Sequence, residues 1–143
     1  MPALIRAARP GDAPALAALF GQLGYPSTAD AVRSRLAGPG ADRAQVLVAE
    51  AEAEAGVVGL IVVNLVAPLH VAGLWALVSA LVTDEAARGS GVGAALLDAA
   101  ERLARGRGCI RMELSSSEYR TRSHAFYLRH GFAEVRKRFV KAL

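Results

Sequence analysis

Apolar positions along the chain switch between a period of two or continuous runs and a period near 3.6, and each change marks an element. Residues 4–8 read as a first strand. Pro10, Gly11 and Asp12 make a turn, with Asp12 as an N-cap and Pro14 in the first helical turn. Leu16, Leu19, Phe20 and Leu23 share one helical face, and Gly24 ends that helix. Ser27 or Thr28 caps a second, shorter helix with Val32 and Leu36 inward, broken by Gly38, Pro39 and Gly40. Residues 46–49 and 57–67 predict strands around an acidic hairpin turn at 50–54, and residues 74–83 predict another uncharged strand. From Gly91 the apolar positions Val92, Ala95, Leu96, Ala99, Ala100 and Leu103 line one helical face. Asp98 with Arg102, and Glu101 with Arg105, are opposite charges four apart on its outer face, and Gly106 and Gly108 stop it. Residues 109–115 predict a strand and 121–130 a helix stopped by Gly131; 132–135 and 138–142 predict two closing strands. A strand-rich middle followed by helix, strand, helix and strand is an α/β order with a mixed sheet, expected as one domain over residues 1–143.

The uncharged run from 55 to 83 is long enough to raise a membrane span. Pro68, His70 and Gly73 cut it into two Val/Leu-rich halves of strand length, so two buried strands fit better than one spanning helix. With 143 residues, 53 % apolar and 21 % charged, the chain has the composition of one globular domain with a real core. Cys109 is the one cysteine, so no internal disulfide forms; its apolar setting predicts a structural role. The first residues lack a long apolar core of the kind a secretory leader has, which predicts a cytoplasmic protein.

Charge sharpens this picture because it is uneven. The net charge is +4, yet residues 1–87 hold five Arg against eight Asp/Glu, and residues 88–143 hold twelve Lys/Arg against five Asp/Glu. Without aromatic interleaving or a nucleic-acid module, the basic half is accounted for by a polyanionic cofactor at the glycine loop rather than by nucleic acid, while most individual Arg read as a solvated face.

The change from acidic to basic falls at Arg88, Gly89, Ser90, Gly91, Val92, Gly93 and Ala94, between the strand ending Leu81, Val82, Thr83 and the helix. Glycines let backbone N–H groups turn toward a ligand, and a helix start adds unpaired donors and the positive end of a dipole. Together they make a seat for phosphate. The seat is not a P-loop, since no Lys follows the glycines. It does fit the dinucleotide pattern G-x-G-x-x-[GA], with Glu113 about twenty residues on. That pattern, however, opens a domain and needs several βα units after it. The acidic turn at 84–87 also lengthens the link from strand to glycines.

Arg88-x-x-Gly91-x-Gly93 after Leu81-Val82-Thr83 resembles the acyl-CoA-binding motif [QR]-x-x-G-x-[GA] of the GNAT superfamily of N-acetyltransferases. His124-Ala125-Phe126-Tyr127-x-x-x-Gly131-Phe132 is similar to that superfamily's final helix and strand. The resemblance is specific over residues 74–143 and looser from Leu4 to there. The ending, from Arg120 and His124 through Arg138, Phe139 and Lys141, looks most like small bacterial members such as aminoalkylphosphonate N-acetyltransferases. The resemblance implies a single-domain α/β fold with a mixed, mostly antiparallel sheet flanked by helices. It also implies acetyl-CoA as cosubstrate. The N–H groups of Gly89, Ser90, Gly91, Val92, Gly93 and Ala94, with Arg88, would take the pyrophosphate; Leu81, Val82 and Thr83 would take the pantetheine arm. It leaves room for a homodimer.

Acyl transfer to an amine needs a held thioester, a neutral amine, a stabilised oxyanion and a protonated leaving thiolate. Tyr127 matches the family's tyrosine and would serve as general acid. Many relatives carry a glutamate on the strand before the loop; here Leu74-Trp75-Ala76-Leu77-Val78-Ser79-Ala80 has no carboxylate, so the resemblance transfers no base. Glu113 and His124 are the catalytic candidates for that part. For Glu113 a solvated or salt-bridged carboxylate is the favoured reading, His124 is equally open to a structural role, His70 sits in a surface loop, and a water relay is also open. No Cys/His cluster has metal-ligand spacing, so no metal is expected. The expected function is acetyl transfer to a primary amine of a small molecule, with no nucleic-acid or membrane partner. The alternatives are a protein-amine acetyltransferase, a non-catalytic acyl-CoA sensor and, more distantly, a nucleotide-dependent oxidoreductase. No residue independently supports a phosphonate acceptor.

Overall fold

The structure, a computed structural model of the chain, describes residues 3–39, 42, 44–51, 56–116 and 121–143. Gly40, most of the acidic turn at 50–54, and Arg120 of the C-terminal motif lie outside the described residues. The chain divides into two compact units, Met1–Glu113 and Leu114–Leu143.

The first unit is built on a five-stranded sheet in the order β1 (Leu4–Ala7), β2 (Ala44–Glu50), β3 (Val57–Val66), β4 (Leu74–Thr83) and β5 (Cys109–Leu114). β1 to β4 pair antiparallel in sequence order, as short connections allow. β5 lies beside β4 but is reached through helix α3 (Val92–Gly106), a crossover that returns the chain parallel and makes the sheet mixed. Helices α1 (Ala13–Leu23) and α2 (Ala29–Ala37) complete the unit before β2.

Side-chain alternation along the strands feeds two cores. Ala13, Leu16 and Leu19 of α1 and Val32 of α2 pack with Val48, Leu60 and Val82 of the sheet. α3 packs against β2, β3 and β4 and buries Val92, Leu96, Leu97, Ala100 and Ala104. The buried arc is as wide as the sequence predicts but turned about the helix axis: Leu97 and Ala104 join it while Ala95, Ala99 and Leu103 stay half-buried. At the tightest point the sheet has no side chain at all. A Cβ on Gly59 would lie 2.9 Å from Val92 Cγ1, 3.0 Å from Leu96 Cδ1 and 3.1 Å from the Val82 carbonyl oxygen. Glycine there lets the first turn of α3 rest on the backbone of β3.

Two details differ from the sequence reading. Thr28, not Ser27, caps α2, its hydroxyl accepting from the Ala31 N–H at 3.1 Å. Asp12 stands at the N-cap of α1 but makes no cap bond to that helix. Its carboxylate accepts from the Arg9 N–H at 2.7 Å and takes both ends of the Arg6 guanidinium at 2.8 and 2.9 Å, while Arg6 Nε reaches Glu50 at 2.7 Å. A bidentate arginine outbids a helix N–H for a carboxylate. The Arg6 bond holds the Asp12 carboxyl below its ordinary range, with the Arg9 N–H adding to the effect against desolvation.

The second unit holds helix α4 (Thr121–Arg129) and the residues that follow. The predicted closing strands at 132–135 and 138–142 do not form: residues 132–143 take no regular structure, with Val135, Phe139 and Val140 exposed. The β-forming residues there are real, but strand conformation is held by a ladder. This segment has none, and Arg136, Lys137, Arg138 and Lys141 oppose its collapse. No helix among the described residues is long and apolar enough to cross a membrane.

Candidate functional site

β4 delivers the chain to the glycine loop through a braced turn. Val82 is buried, while Leu81 and Thr83 are half-buried. The Asp84 N–H donates to the Val58 carbonyl at 2.8 Å, and the Asp84 carboxylate accepts from the Ala86 N–H at 2.9 Å, closing a 3-10 turn at Glu85–Ala87. From outside the loop, Gln22 of α1 accepts the Glu85 N–H on its side-chain oxygen at 3.0 Å. Arg88 then runs extended and exposed. Gly89 and Gly91 take φ of 82° and 87°, a left-handed backbone that side chains resist. A Cβ at either would meet nothing within 4 Å. The backbone conformation, not crowding, calls for glycine there, and the space beside the loop is open.

That loop ends in a helix start with unused donors. Ser90, itself exposed, folds back on the turn, its N–H and hydroxyl both donating to the Ala87 carbonyl. Gly91 is the N-cap of α3 and has no side chain to cap with; the first helical bond runs from the Ala95 N–H to the Gly91 carbonyl at 3.0 Å. Among the described residues, the N–H groups of Gly89, Gly91, Val92, Gly93 and Ala94 find no acceptor. The first turn of α3 carries no acidic residue to compete for them. Local chemistry thus leaves a cluster of backbone donors, the positive end of a 15-residue helix and an exposed arginine beside open space. That donor set fits a diphosphate.

The neighbouring strands carry a second group. On β5, Glu113 Oε1 pairs with Arg111 at 3.0 Å. The Arg111 guanidinium lies 4.5 Å from the centre of the Trp75 ring on β4, and His70 meets the same ring edge-on at 5.8 Å. Asn64 of β3 donates to the Leu77 carbonyl at 3.1 Å and to the Ser79 hydroxyl at 2.8 Å. β4 itself presents no carboxylate. Cys109 is half-buried, and burial pushes its thiol pKa up against the pull of Arg107. That is the wrong direction for a nucleophile. In the second unit, α4 carries His124 and Tyr127, both half-buried. The Tyr127 ring packs edge-on to Phe126 at 5.5 Å and Phe132 at 5.8 Å, and its carbonyl accepts from the N–H groups of His130 and Phe132, each at 3.1 Å.

Comparison with known proteins places the chain in a family. The acetyltransferase (GNAT) family model matches residues 16–132. The chain belongs to the GNAT acetyltransferase family. It is 39 % identical over 87 residues to an aminoalkylphosphonate N-acetyltransferase of Salmonella typhimurium, a match that covers 61 % of this chain and 56 % of that protein. In fold it is similar to an acetyltransferase of Trypanosoma brucei, with a TM-score of 0.85, 21 % identity and 99 % of each chain covered. The glucosamine-6-phosphate N-acetyltransferase of Arabidopsis thaliana gives a TM-score of 0.84 at 19 % identity, again over 99 % of each chain. GNAT acetyltransferases are acyltransferases that use acetyl-CoA as acetyl donor.

Within this GNAT chain, the structure brings Leu81, Val82, Thr83 and the residues 88–94 into one continuous strand, turn and helix start. It ties Glu113, which the sequence singles out, to a cation, and it links His70 to Glu113 through Trp75 and Arg111. Sequence reading passes over Trp75, Arg111, Asn64, Ser79 and Gln22. Arg111 and Glu113 were within reach, since residues two apart share one face of a strand. The other contacts depend on strand register and helix placement, which no local pattern encodes. Among the described residues, no three His, Cys, Asp or Glu side chains stand together as metal ligands.

Proposed function

We propose that this chain transfers the acetyl group of acetyl-CoA directly to a primary amine of a small molecule. The observation that carries the proposal is the cluster of unpaired N–H groups at Gly89, Gly91, Val92, Gly93 and Ala94, beside open space at the start of α3. These groups, with Ser90 shaping the turn and Arg88 beside it, hold the pyrophosphate, while Leu81, Val82 and Thr83 line the pantetheine arm. Bound acetyl-CoA supplies an activated thioester. The chain holds it, keeps water from it and moves protons. An N–C bond forms as the C–S bond breaks, the amine gives up a proton and the departing sulfur takes one. Tyr127 donates to that sulfur. The ion pair between Glu113 and Arg111 weights Glu113 toward positioning, which leaves His124 or a water relay to take the amine proton. Residues 1–143 act as one N-acetyltransferase domain, a reading supported by one family model running across both compact units. The same reading makes the protein cytoplasmic and homodimeric, with no nucleic-acid or membrane partner.

Release of free CoA from acetyl-CoA over a panel of primary amines tests it, with calorimetry on acetyl-CoA alone as the binding control. Turnover with a small amine is the expected result. The missing β4 carboxylate favours one other reading, an acyl-CoA sensor, which would bind acetyl-CoA yet release no CoA with any amine. Turnover only with peptide amines would move the acceptor to proteins.

A further inference from the structure

The first unit contains a cavity of about 360 Å³ between α1, α2 and the sheet. Its walls are chiefly apolar: Phe20 from α1, Leu36 from α2, and Val62 and Ala80 from β3 and β4 are among them. The β4 wall reaches it through an irregularity. Ala80 pairs with Val62 and Val78 with Val63, so Ser79 is an extra residue without a partner on β3. Ser79 lines the cavity, and its hydroxyl is engaged by the Asn64 amide. Ala80 is followed directly by Leu81, Val82 and Thr83, the strand end that leads into the glycine loop. α3 packs on the sheet apart from the core that α1 and α2 form.

The charges around this cavity are as telling as its size. Among the described residues no carboxylate lines it, and its one formal charge is the Arg35 guanidinium. Apolar walls disfavour the charged form of an amine. A free amine is mostly ammonium at pH 7. A cavity of this kind selects the uncharged minority, which is the form that attacks a thioester. It thereby does part of what a carboxylate on β4 would do, and β4 has none. Arg35 and the hydroxyls of Tyr25, Ser27 and Ser79 are also in the lining, but a two-carbon acceptor such as 2-aminoethylphosphonate would leave much of the volume empty.

We infer that this cavity holds the apolar chain of the acceptor, which is a medium-chain alkylamine or an arylalkylamine taken up uncharged rather than an aminoalkylphosphonate. The inference rests on the acetyl-transfer reading for its chemistry, but the cavity can be tested without turnover.

The experiment uses the full chain at saturating acetyl-CoA, with primary amines from propylamine to octylamine, phenylethylamine and 2-aminoethylphosphonate. kcat/KM should rise about threefold to fourfold per added methylene until the cavity is filled, following the transfer of each group from water. Ala80→Leu should shift the optimum to shorter amines, and Leu36→Ala, which enlarges the cavity, to longer ones, while acetyl-CoA affinity, read by calorimetry, stays unchanged in both. Calorimetry with hexylamine alone should show binding with release of a proton, read from the buffer dependence of the heat. Flat kcat/KM along the series, or 2-aminoethylphosphonate preferred to hexylamine, would overturn the inference. So would hexylamine binding that both variants leave untouched, or binding without proton release. Amine binding that follows the cavity variants while no CoA is ever released would support the cavity and sink the acetyl-transfer reading instead.

Discussion

Gly91 shows how a single residue sets the backbone of the glycine loop. At φ 87° any side chain is strained, and a branched one also projects into the open space beside the loop. Gly91→Val is expected to cost about 1–2 kcal/mol in stability from backbone strain. It should weaken acetyl-CoA binding tenfold or more, on the order of 1.4 kcal/mol. Calorimetry on the folded variant checks this; unchanged binding would remove the loop from the donor site. Tyr127 calls for a different measurement, because its ring is also packed against Phe126 and Phe132. Tyr127→Phe keeps the packing and removes the hydroxyl. If that hydroxyl serves the departing sulfur, kcat falls by roughly 10²-fold, the low end for general-acid help, since a thiol with pKa near 8.5 is a tolerable leaving group. Acetyl-CoA affinity and Tm should hold. Single-turnover kinetics guard against a masked effect if product release limits kcat. The sequence singles out both residues because their identities and spacings are unusual. Trp75 and Arg111 are not singled out, because a ring in an uncharged strand reads as core until the register puts a guanidinium over it.

Among elements, the contact of α3 with β3 governs where the helix start sits. Gly59→Ala pushes a methyl to within about 3 Å of Val92, Leu96 and the Val82 carbonyl, so either α3 shifts or the strand does. Overpacking of this kind costs about 1–3 kcal/mol. Denaturant unfolding should show that loss, and acetyl-CoA affinity should fall with it although residue 59 lies outside the loop. Gly21→Ala is the matching control. It sits within α1, and nothing lies within 4 Å of the added Cβ, so it should stabilise by about 0.5–1 kcal/mol and leave binding alone. Elements were legible wherever the pattern that makes them is local. Leu74–Thr83 is read to the residue because an uncharged run ends at a charged turn. Residues 132–135 and 138–142 failed for the opposite reason: preference for a strand says nothing about whether a partner is there to complete it. The extra residue at Ser79 is hidden in the same way, since a bulge is a relation between two strands.

For the whole molecule, acid stability should report the cluster that joins β1, β2 and the start of α1. The Asp12 carboxyl is held below its ordinary value of about 3.9 by Arg6 and the Arg9 N–H. A depressed carboxyl stabilises the fold above its unfolded pKa, and the contribution disappears as pH falls through the folded pKa. Asp12→Asn should therefore cost about 1–3 kcal/mol at pH 7, and the gap to the wild type should close below about pH 4. Denaturant unfolding as a function of pH measures both limbs. A gap independent of pH would mean that the pairing contributes nothing through ionisation. Charge distribution makes a second claim at this scale. Acetyl-CoA affinity should fall with salt, and CoA should bind better than its form lacking the 3′-phosphate, because the loop opens the basic part of the chain. Equal affinities at low salt would leave those arginines as ordinary surface.

The bond from Gln22 to the Glu85 N–H ties α1 to the turn before the glycines. A glycine loop that holds phosphate would do so with main chain, while the cavity walls are side chains. Anyone evolving this protein toward new amines could vary positions such as Leu36 and Val62 freely at one fixed acetyl-CoA concentration. Clones would then differ in acceptor preference without drifting in donor affinity, provided Gln22 is left out of the library.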